Sequence, residues 1–272
     1  MTRLDPTWRT AATAGEMKPM VSTNDSPTVL ITGSTSGIGA ATARTLAKEG
    51  WRIVVTGRDR TRGTAVVTDI EAGGGWATFV PSDLSADPAE LRDFARTATQ
   101  AAGGHLNAVV HNAALCPPVD TLSLSDTDLA ATLAVNIRAP HVLTAALAPS
   151  MLERGHGAIV VIGSWMAHIG SPYVGLYSAT KAAEIQLARS WAAEFGPRGI
   201  RVNTVSPGAT RTPINDSADD VIALLTAGTP AKRPGTPEEV AAAVAWLVSG
   251  KADYLHGAEL RVDGGITGTR LN

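Results

Sequence analysis

From Pro27 onward, short apolar runs rich in Val and Ile alternate with longer Ala-rich stretches whose apolar positions recur at helical spacing. Val29–Thr32, Arg52–Thr56, Ala77–Val80, Ala108–His111, Ala158–Gly163, Arg201–Val205 and Glu259–Val262 are too short and too continuous to be amphipathic helices. They read as strands buried on both faces, about seven in all. Ile38–Glu49, Pro88–Ala102, Asp126–Glu153, Tyr177–Phe195 and Pro237–Val248 read as helices, with Pro or Asp near several starts and Gly after several ends. Repeated strand–helix units with right-handed crossovers predict an α/β fold: a doubly wound parallel sheet with helices on both faces. No internal repeat, low-complexity linker or compositional break divides the chain, so residues 27–272 are expected to form one domain. Gly208–Thr236 carries no clear strand, is rich in Thr and Pro, and holds Asp216, Asp219 and Asp220; it is expected to be a substrate lid over the strand ends.

Composition narrows the partners. Hydrophobic residues make up 44% and charged residues 18% of the chain, which suits a packed globular protein rather than a disordered one. A formal net charge of −2 supplies no basic field, so neither nucleic acid nor an anionic membrane is an expected partner. No apolar run approaches the roughly 18 to 20 residues a membrane span requires. Residues 1–26 carry scattered basic side chains with Asp5, Glu16 and Asp25 among them but lack an apolar signal core. They read as a flexible arm, with a transit peptide or a later start at Met17 or Met20 as alternatives. Cys116 is the single cysteine, which precludes an internal disulfide and favours a reducing, cytoplasmic setting. The histidines form no close pair, and the acids of 216–220 sit without partner ligands, so no catalytic metal is expected.

The first predicted strand runs directly into Thr32-Gly33-Ser34-Thr35-Ser36-Gly37-Ile38-Gly39 and then into an Ala-rich helix. Strand, glycine turn and helix in that order make a site for a dinucleotide pyrophosphate. A β-carbon in the turn would hold the backbone away from the phosphates, and the helix start offers free N–H groups and partial positive charge. Gly33 to Gly39 are the expected contacts, and the fold expected around them is Rossmann-like. At the end of the second strand an acid would favour NAD by accepting its ribose hydroxyls. Gly57 stands there instead and Arg58 follows, leaving room and a bidentate partner for a 2′-phosphate, with Arg60 or Arg62 in reserve. NADP(H) is therefore expected ahead of NAD(H), with a solvated basic turn and Asp59 on the ribose as the alternative. Asp83-Leu84, after the third strand, is placed to meet the adenine, although an Asp at a helix start reads equally as a cap.

Tyr177 and Lys181 lie four residues apart at the head of a predicted helix and so share one face. A phenol titrates near pH 10, so using it as a proton donor and acceptor near neutrality requires adjacent positive charge, which Lys181 and an oxidised nicotinamide would supply.

With these motifs in place, the chain resembles the short-chain dehydrogenases/reductases in their single-domain form, which carry a Thr-Gly-x-x-x-Gly-x-Gly loop and a Tyr-x-x-x-Lys pair. The resemblance covers nearly everything after Pro27. Ser164 stands thirteen residues before Tyr177, as does the family serine that hydrogen-bonds the substrate oxygen. Asn136 matches the asparagine that holds a helix break and a proton-relay water. His111-Asn112-Ala113-Ala114 is similar to the family's Asn-Asn-Ala-Gly, although His111 and Ala114 depart from it and are expected to crowd the adenosine ribose slightly. Pro207-Gly208, Thr210 and Thr212 resemble the segment that clasps the carboxamide, and Val262-Asp263-Gly264-Gly265 the last strand. The resemblance implies an oxidoreductase exchanging hydride between nicotinamide and a carbonyl or secondary alcohol. Ser164, Tyr177, Lys181 and Asn136 would be its catalytic residues, and Asn112, Ala113, Tyr177, Lys181, Pro207, Gly208, Thr210 and Thr212 would join the cofactor contacts. Residues 229–240 look like the 3-oxoacyl-(acyl-carrier-protein) reductases, so an acyl thioester is one expected substrate. A sugar or polyol dehydrogenase and, from another class, a non-catalytic NADP(H)-binding redox sensor are the alternatives. The resemblance also implies a homotetramer or homodimer formed through 126–153 and 177–195.

Overall fold

The computed structural model describes residues 26–212 and 219–269. Most of the expected arm (1–25) and Asp216 lie outside the described residues. In chain order the elements are β1 (Thr28–Ile31), α1 (Gly37–Lys48), β2 (Arg52–Gly57), α2 (Arg60–Ala72), β3 (Trp76–Pro81), α3 (Pro88–Ala101), β4 (Ala108–His111) and α4 (Asp126–Leu133). They continue with α5 (Ala139–Arg154), β5 (Gly157–Ile162), α6 (Gly175–Phe195), β6 (Ile200–Pro207), α7 (Asp219–Ala227), α8 (Pro237–Val248) and β7 (Glu259–Val262). The seven strands form one sheet in the order β3-β2-β1-β4-β5-β6-β7, and every pairing is parallel. This is the doubly wound, Rossmann-like single domain that the alternating pattern predicts.

The period of two in the strands divides their side chains between two cores. Leu30, Val54, Val109, Ile159 and Val161 face α3, α5 and α6, whereas Ile31, Ile53, Val55, Val110 and Val160 face α1, α2 and α8. Both faces are apolar, which is why the strands read as continuous hydrophobic runs. The strand order reverses between β1 and β4, and the crevice outside their carboxyl ends is where ligands of such sheets bind.

Three local features differ from the sequence expectation. The long helix predicted over 126–153 is interrupted by a π-helical turn at Ala134–Arg138, between α4 and α5. Helix α2 was not singled out by its periodicity; its Gly63 is forced by packing, since a Cβ there would lie 2.2 Å from Phe79 Cε2. The 208–236 segment holds the short helix α7, and its ends are pinned together by Gly235 N–H to Ala209 O (2.9 Å) and Arg211 N–H to Gly235 O (3.0 Å). No helix among the described residues is long and apolar enough to cross a membrane.

Candidate active site

The turn after β1 is built around glycine. Gly33 and Gly37 adopt φ of 63° and 53°, the left-handed region in which a side chain is strained. Gly39 faces a different constraint: a Cβ there would stand 2.5 Å from Gly33 O and 2.6 Å from Asn112 Nδ2. Ser36, the residue preceding α1, is extended and makes no side-chain cap. The start of α1 is therefore left with uncapped backbone N–H groups beside a surface cleared of side chains, which fits a dinucleotide pyrophosphate.

Several polar residues expected at the cofactor serve this turn instead. Ser34 is buried; its hydroxyl donates to Ile31 O (2.7 Å) and accepts from Thr56 N–H (2.9 Å), tying the turn to β2. Asn112 Nδ2 donates to Thr32 O (2.9 Å) and Gly33 O (3.1 Å), while Thr32 Oγ1 accepts from the Asn112 and Ala113 amides. Asn112 thus braces the crevice from the β4 side. Ala113 closes against Gly33, where a Cβ would come within 3.0 Å of its Cα.

At the tip of β2, Gly57 clears space for Thr35, whose Cγ2 would be 2.7 Å from any Cβ at 57. Asp59 caps α2, accepting from the Arg62 amide (3.0 Å) and Nε (2.8 Å), and Arg60 lies over the Phe79 ring at 5.9 Å. Asp59 and both reserve arginines are thereby engaged, while Arg58 is exposed. The exposed Asp83 accepts from the Ser85 hydroxyl and amide, and these bonds, helped by the Arg58 charge, hold its carboxyl below the usual value. Leu84 is buried in the α3-side core, so its side chain is a packing residue rather than an adenine contact.

The expected crowding by His111 does not occur. Its ring turns away from the turn, bonds Thr144 Oγ1 at 2.9 Å and tilts against Trp191 at 6.1 Å. Burial, reinforced by the Lys181 charge, lowers its pKa to about 4 and keeps the ring neutral. On the other flank, Gly208 packs against Asp263, where a Cβ would lie 2.6 Å from its Cα. Pro207 ends β6, Thr210 is buried with its hydroxyl on Gly208 O (3.0 Å), and Thr212 is half-buried.

The side-chain chemistry gathers where β5 meets α6. Ser164, buried after β5, accepts from the Met166 amide at 3.1 Å and lies close enough to the Tyr177 phenol to favour its ionisation. Burial raises the Tyr177 pKa above its usual value, against the downward pull of the Lys181 ammonium and of Ser164. Lys181 Nζ lies 5.8 Å from the centre of the Tyr177 ring and donates to Ile162 O at 2.8 Å. Asn136 stands in the π-helical turn, accepting from Leu115 N–H (2.8 Å) and donating to Leu115 O (2.9 Å) and Thr180 Oγ1 (3.0 Å). Both Nδ2 hydrogens are thus engaged, so the side chain locks the segment after β4 to α6. Ser164, Tyr177 and Lys181 meet as the spacing implies, with Asn136 joined to them through Thr180.

Two residues here were not anticipated. Half-buried Cys116 interacts electrostatically with both Tyr177 and Lys181, and burial pushes its thiol up. Glu184 is buried against Lys181, 2.7 Å from Nζ. Its signal was legible as an acid on the apolar stripe of α6 that runs through Ile185, Ala188 and Trp191. Among the described residues no cluster of three or more His, Cys, Asp or Glu is arranged to hold a metal.

Known proteins share this arrangement over nearly the whole chain. Residues 33–267 match a family model described as Enoyl-(Acyl carrier protein) reductase. A solved short chain dehydrogenase/reductase family protein is 42% identical, with a TM-score of 0.81, covering 89% of this chain and 98% of its own. The chain belongs to the short-chain dehydrogenase/reductase family. Its relatives in that family include an L-rhamnose 1-dehydrogenase (NAD(P)(+)) from a Sphingomonas species, 36% identical over 88% of this chain and 95% of that protein. A solved gluconate 5-dehydrogenase from Burkholderia cenocepacia, in complex with NADP and tartrate, is 30% identical with a TM-score of 0.83 over 89% of this chain and 96% of its own. The protein is accordingly an oxidoreductase of the dehydrogenase type, working with a nicotinamide cofactor.

Proposed function

We propose that this oxidoreductase reduces a ketone, or oxidises the corresponding secondary alcohol, with NADP(H), using Tyr177 as the proton donor and acceptor. One observation carries the reading: Ser164 and Lys181 converge on a single half-buried phenol beside a glycine turn fitted to a dinucleotide. When bound, the nicotinamide supplies the hydride acceptor or donor. The chain's own residues do the rest. Ser164 hydrogen-bonds the substrate oxygen, Tyr177 protonates it in reduction and deprotonates the alcohol in oxidation, and the Lys181 ammonium favours the phenolate and holds the nicotinamide ribose. Asn136 fixes the floor of the site through Leu115 and Thr180. The uncapped N–H groups of α1, with Gly33, Gly37 and Gly39, hold the pyrophosphate.

The preference for NADP rests on Arg58. Arg62 is tied to Asp59 and Arg60 lies over the Phe79 ring, whereas Arg58 is exposed at the tip of β2 with only the more distant Asp83 charge acting with it. The NADP bound in the gluconate 5-dehydrogenase relative agrees. For the substrate, the family description favours an acyl thioester and the named relatives favour a sugar or polyol. The pinned base of 208–236 suits a lid over either. Leu129 and Leu133 on α4 are 37% and 43% exposed and suit self-association through α4 and α5, and the lone Cys116 suits a reducing cytoplasm.

The test is fluorescence titration with NADPH and NADH, for the native chain and Arg58→Ala, followed by turnover against ketones, 3-oxoacyl thioesters and sugar alcohols. NADPH binding should weaken on the order of tenfold or more in the variant, with NADH nearly unchanged. Equal losses for both would remove the 2′-phosphate contact from the proposal, and binding without turnover of any panel member would favour a sensor.

A further inference from the structure

Lys181 and Glu184 are both 1% exposed, and they share the face of α6 that is otherwise filled by Ile185, Ala188, Trp191 and Phe195. An ammonium withdrawn from water is strongly disfavoured unless a negative charge accompanies it. The groups acting on Lys181 are Glu184 and Tyr177 on its own helix and Cys116 from the segment after β4, with neutral His111 facing it from β4. Tyr177 and Cys116 both have pKa values raised by burial, so near neutrality neither is an anion. Glu184 is the carboxylate in the set. Its Oε2 stands 2.7 Å from Nζ, and neither carboxylate oxygen has another hydrogen-bond partner.

We propose that Glu184 is a positioning residue, a buried counter-ion that keeps the Lys181 ammonium charged and held against Ile162 O behind the Tyr177 phenol. It lies below Lys181 and acts through it. The balance of forces agrees. Burial works to deprotonate Lys181, and the Glu184 carboxylate is the largest influence opposing it; the lysine pKa ends raised, with Tyr177 adding to this only where its phenol ionises. Burial lifts Glu184 itself to about 7, against the pull of Lys181, so the carboxylate is complete above that pH and the ion pair is fully formed between there and the raised lysine pKa. The direct effect of Glu184 on Tyr177 is the weakest of the influences on that phenol. Loss of Glu184 should therefore be felt mainly as an earlier loss of the ammonium as pH rises.

The role rests on the assignment of Tyr177 and Lys181 above, but its test needs no turnover. The protein has five lysines, so the side-chain carbon resonances of 13C-lysine can be followed against pH one by one, with Lys181 assigned by its disappearance in Lys181→Met. In the unaltered protein Lys181 should titrate no lower than the exposed Lys48, Lys232 and Lys251. Glu184→Gln should lower it by about two pH units, and Glu184→Asp, which keeps the charge, should recover most of that shift. Glu184→Met fills the same space without charge and replaces the Gln variant if that fails to fold. A Lys181 resonance that titrates below the exposed lysines in the unaltered protein would overturn the counter-ion role without any variant, as would an unmoved titration in Glu184→Gln or Glu184→Met. Where turnover is available, kcat in Glu184→Gln should fall as pH rises through the lowered lysine pKa while substrate KM holds. If the lysine shifts as expected and turnover is never found, it is the functional reading that fails.

Discussion

The two halves of the site use the chain in opposite ways. Around β1, α1 and β4 the polar side chains are spent on the protein itself: Thr32 and Asn112 hold each other's backbones, Ser34 ties Ile31 to Thr56, and what remains for a ligand is bare N–H groups over glycine. Where β5 meets α6 the backbone is ordinary helix and strand, and Ser164, Tyr177, Lys181 and Glu184 present the chemistry through their side chains. A pyrophosphate offers many equivalent acceptors to a fixed set of amides, so the first half has to be close-fitting and rigid. Proton transfer to one substrate oxygen needs one group with a tuned affinity for its proton, so the second half has to be electrostatically prepared.

If the division is correct, the largest effect on chemistry should come from a single oxygen. Tyr177→Phe removes the phenol hydroxyl and leaves the ring packed, so kcat should fall about 10³-fold while nucleotide affinity stays within about twofold, measured by steady-state kinetics beside fluorescence titration. A comparable loss of binding would mean that the two halves are not separable. Gly39→Ala is the converse. Its methyl would meet Gly33 O at 2.5 Å, so the turn must open, and nucleotide affinity should drop about 100-fold with about 1–3 kcal/mol of stability. An alanine variant that still binds would show that the cradle is not built from contact distance.

How much of this was legible follows the same division. Backbone work is written as glycine between a strand and a helix, and the turn at 33–39 was readable because Gly33 and Gly37 adopt conformations that strain a side chain and Gly39 a contact that leaves no room for one. Side-chain work is written as spacing, and the four-residue step from Tyr177 to Lys181 was readable for that reason. The sequence pattern could not say which polar residues near the ligand face it. Ser34 and Asn112 look like contacts in one dimension, and only the register of β1 against β2 and β4 turns them inward. His111 misleads similarly, since its role depends on Thr144 and Trp191, both distant along the chain. Helix α2 was obscured by Gly63, a residue chosen for a ring on the neighbouring strand rather than for helix formation. Glu184 was readable in principle, because an acid on an apolar helical stripe demands a partner.

His111 lies at the seam between the halves and gives the comparison a pH dependence. Its folded pKa of about 4 is below the ordinary 6.5, so the fold favours the neutral ring. That contribution is complete above about pH 6.5 and is lost as pH falls towards 4, because the unfolded chain takes up the proton first. The linked destabilisation is on the order of 3 kcal/mol across this window. Urea unfolding at a series of pH values should show it, and His111→Gln, which retains a polar group towards Thr144, should flatten the slope between pH 6.5 and 4. A slope unchanged in the variant would assign the acid sensitivity elsewhere.

The smallest expected effect is also the control on the uncapped helix. Helix α8 packs beside α1 and is closed at its start: Thr236 Oγ1 accepts from the Glu239 amide (3.3 Å), Glu239 Oε2 accepts from the Thr236 amide (2.9 Å), and Arg233 clamps the same carboxylate. Those bonds, led by Arg233, hold the Glu239 carboxyl down at about 2, so the cap stays charged throughout the working range. Thr236→Ala should cost about 1 kcal/mol, seen as a fall of about 2 °C in Tm, with nucleotide affinity and kcat unchanged. Helix α1 has no such cap to remove, because Ser36 leaves its first amides open. If Thr236→Ala weakened nucleotide binding as much as it weakened the fold, the open start of α1 would depend on its packed neighbour, and the binding half could no longer be treated as a rigid cradle set by its own glycines.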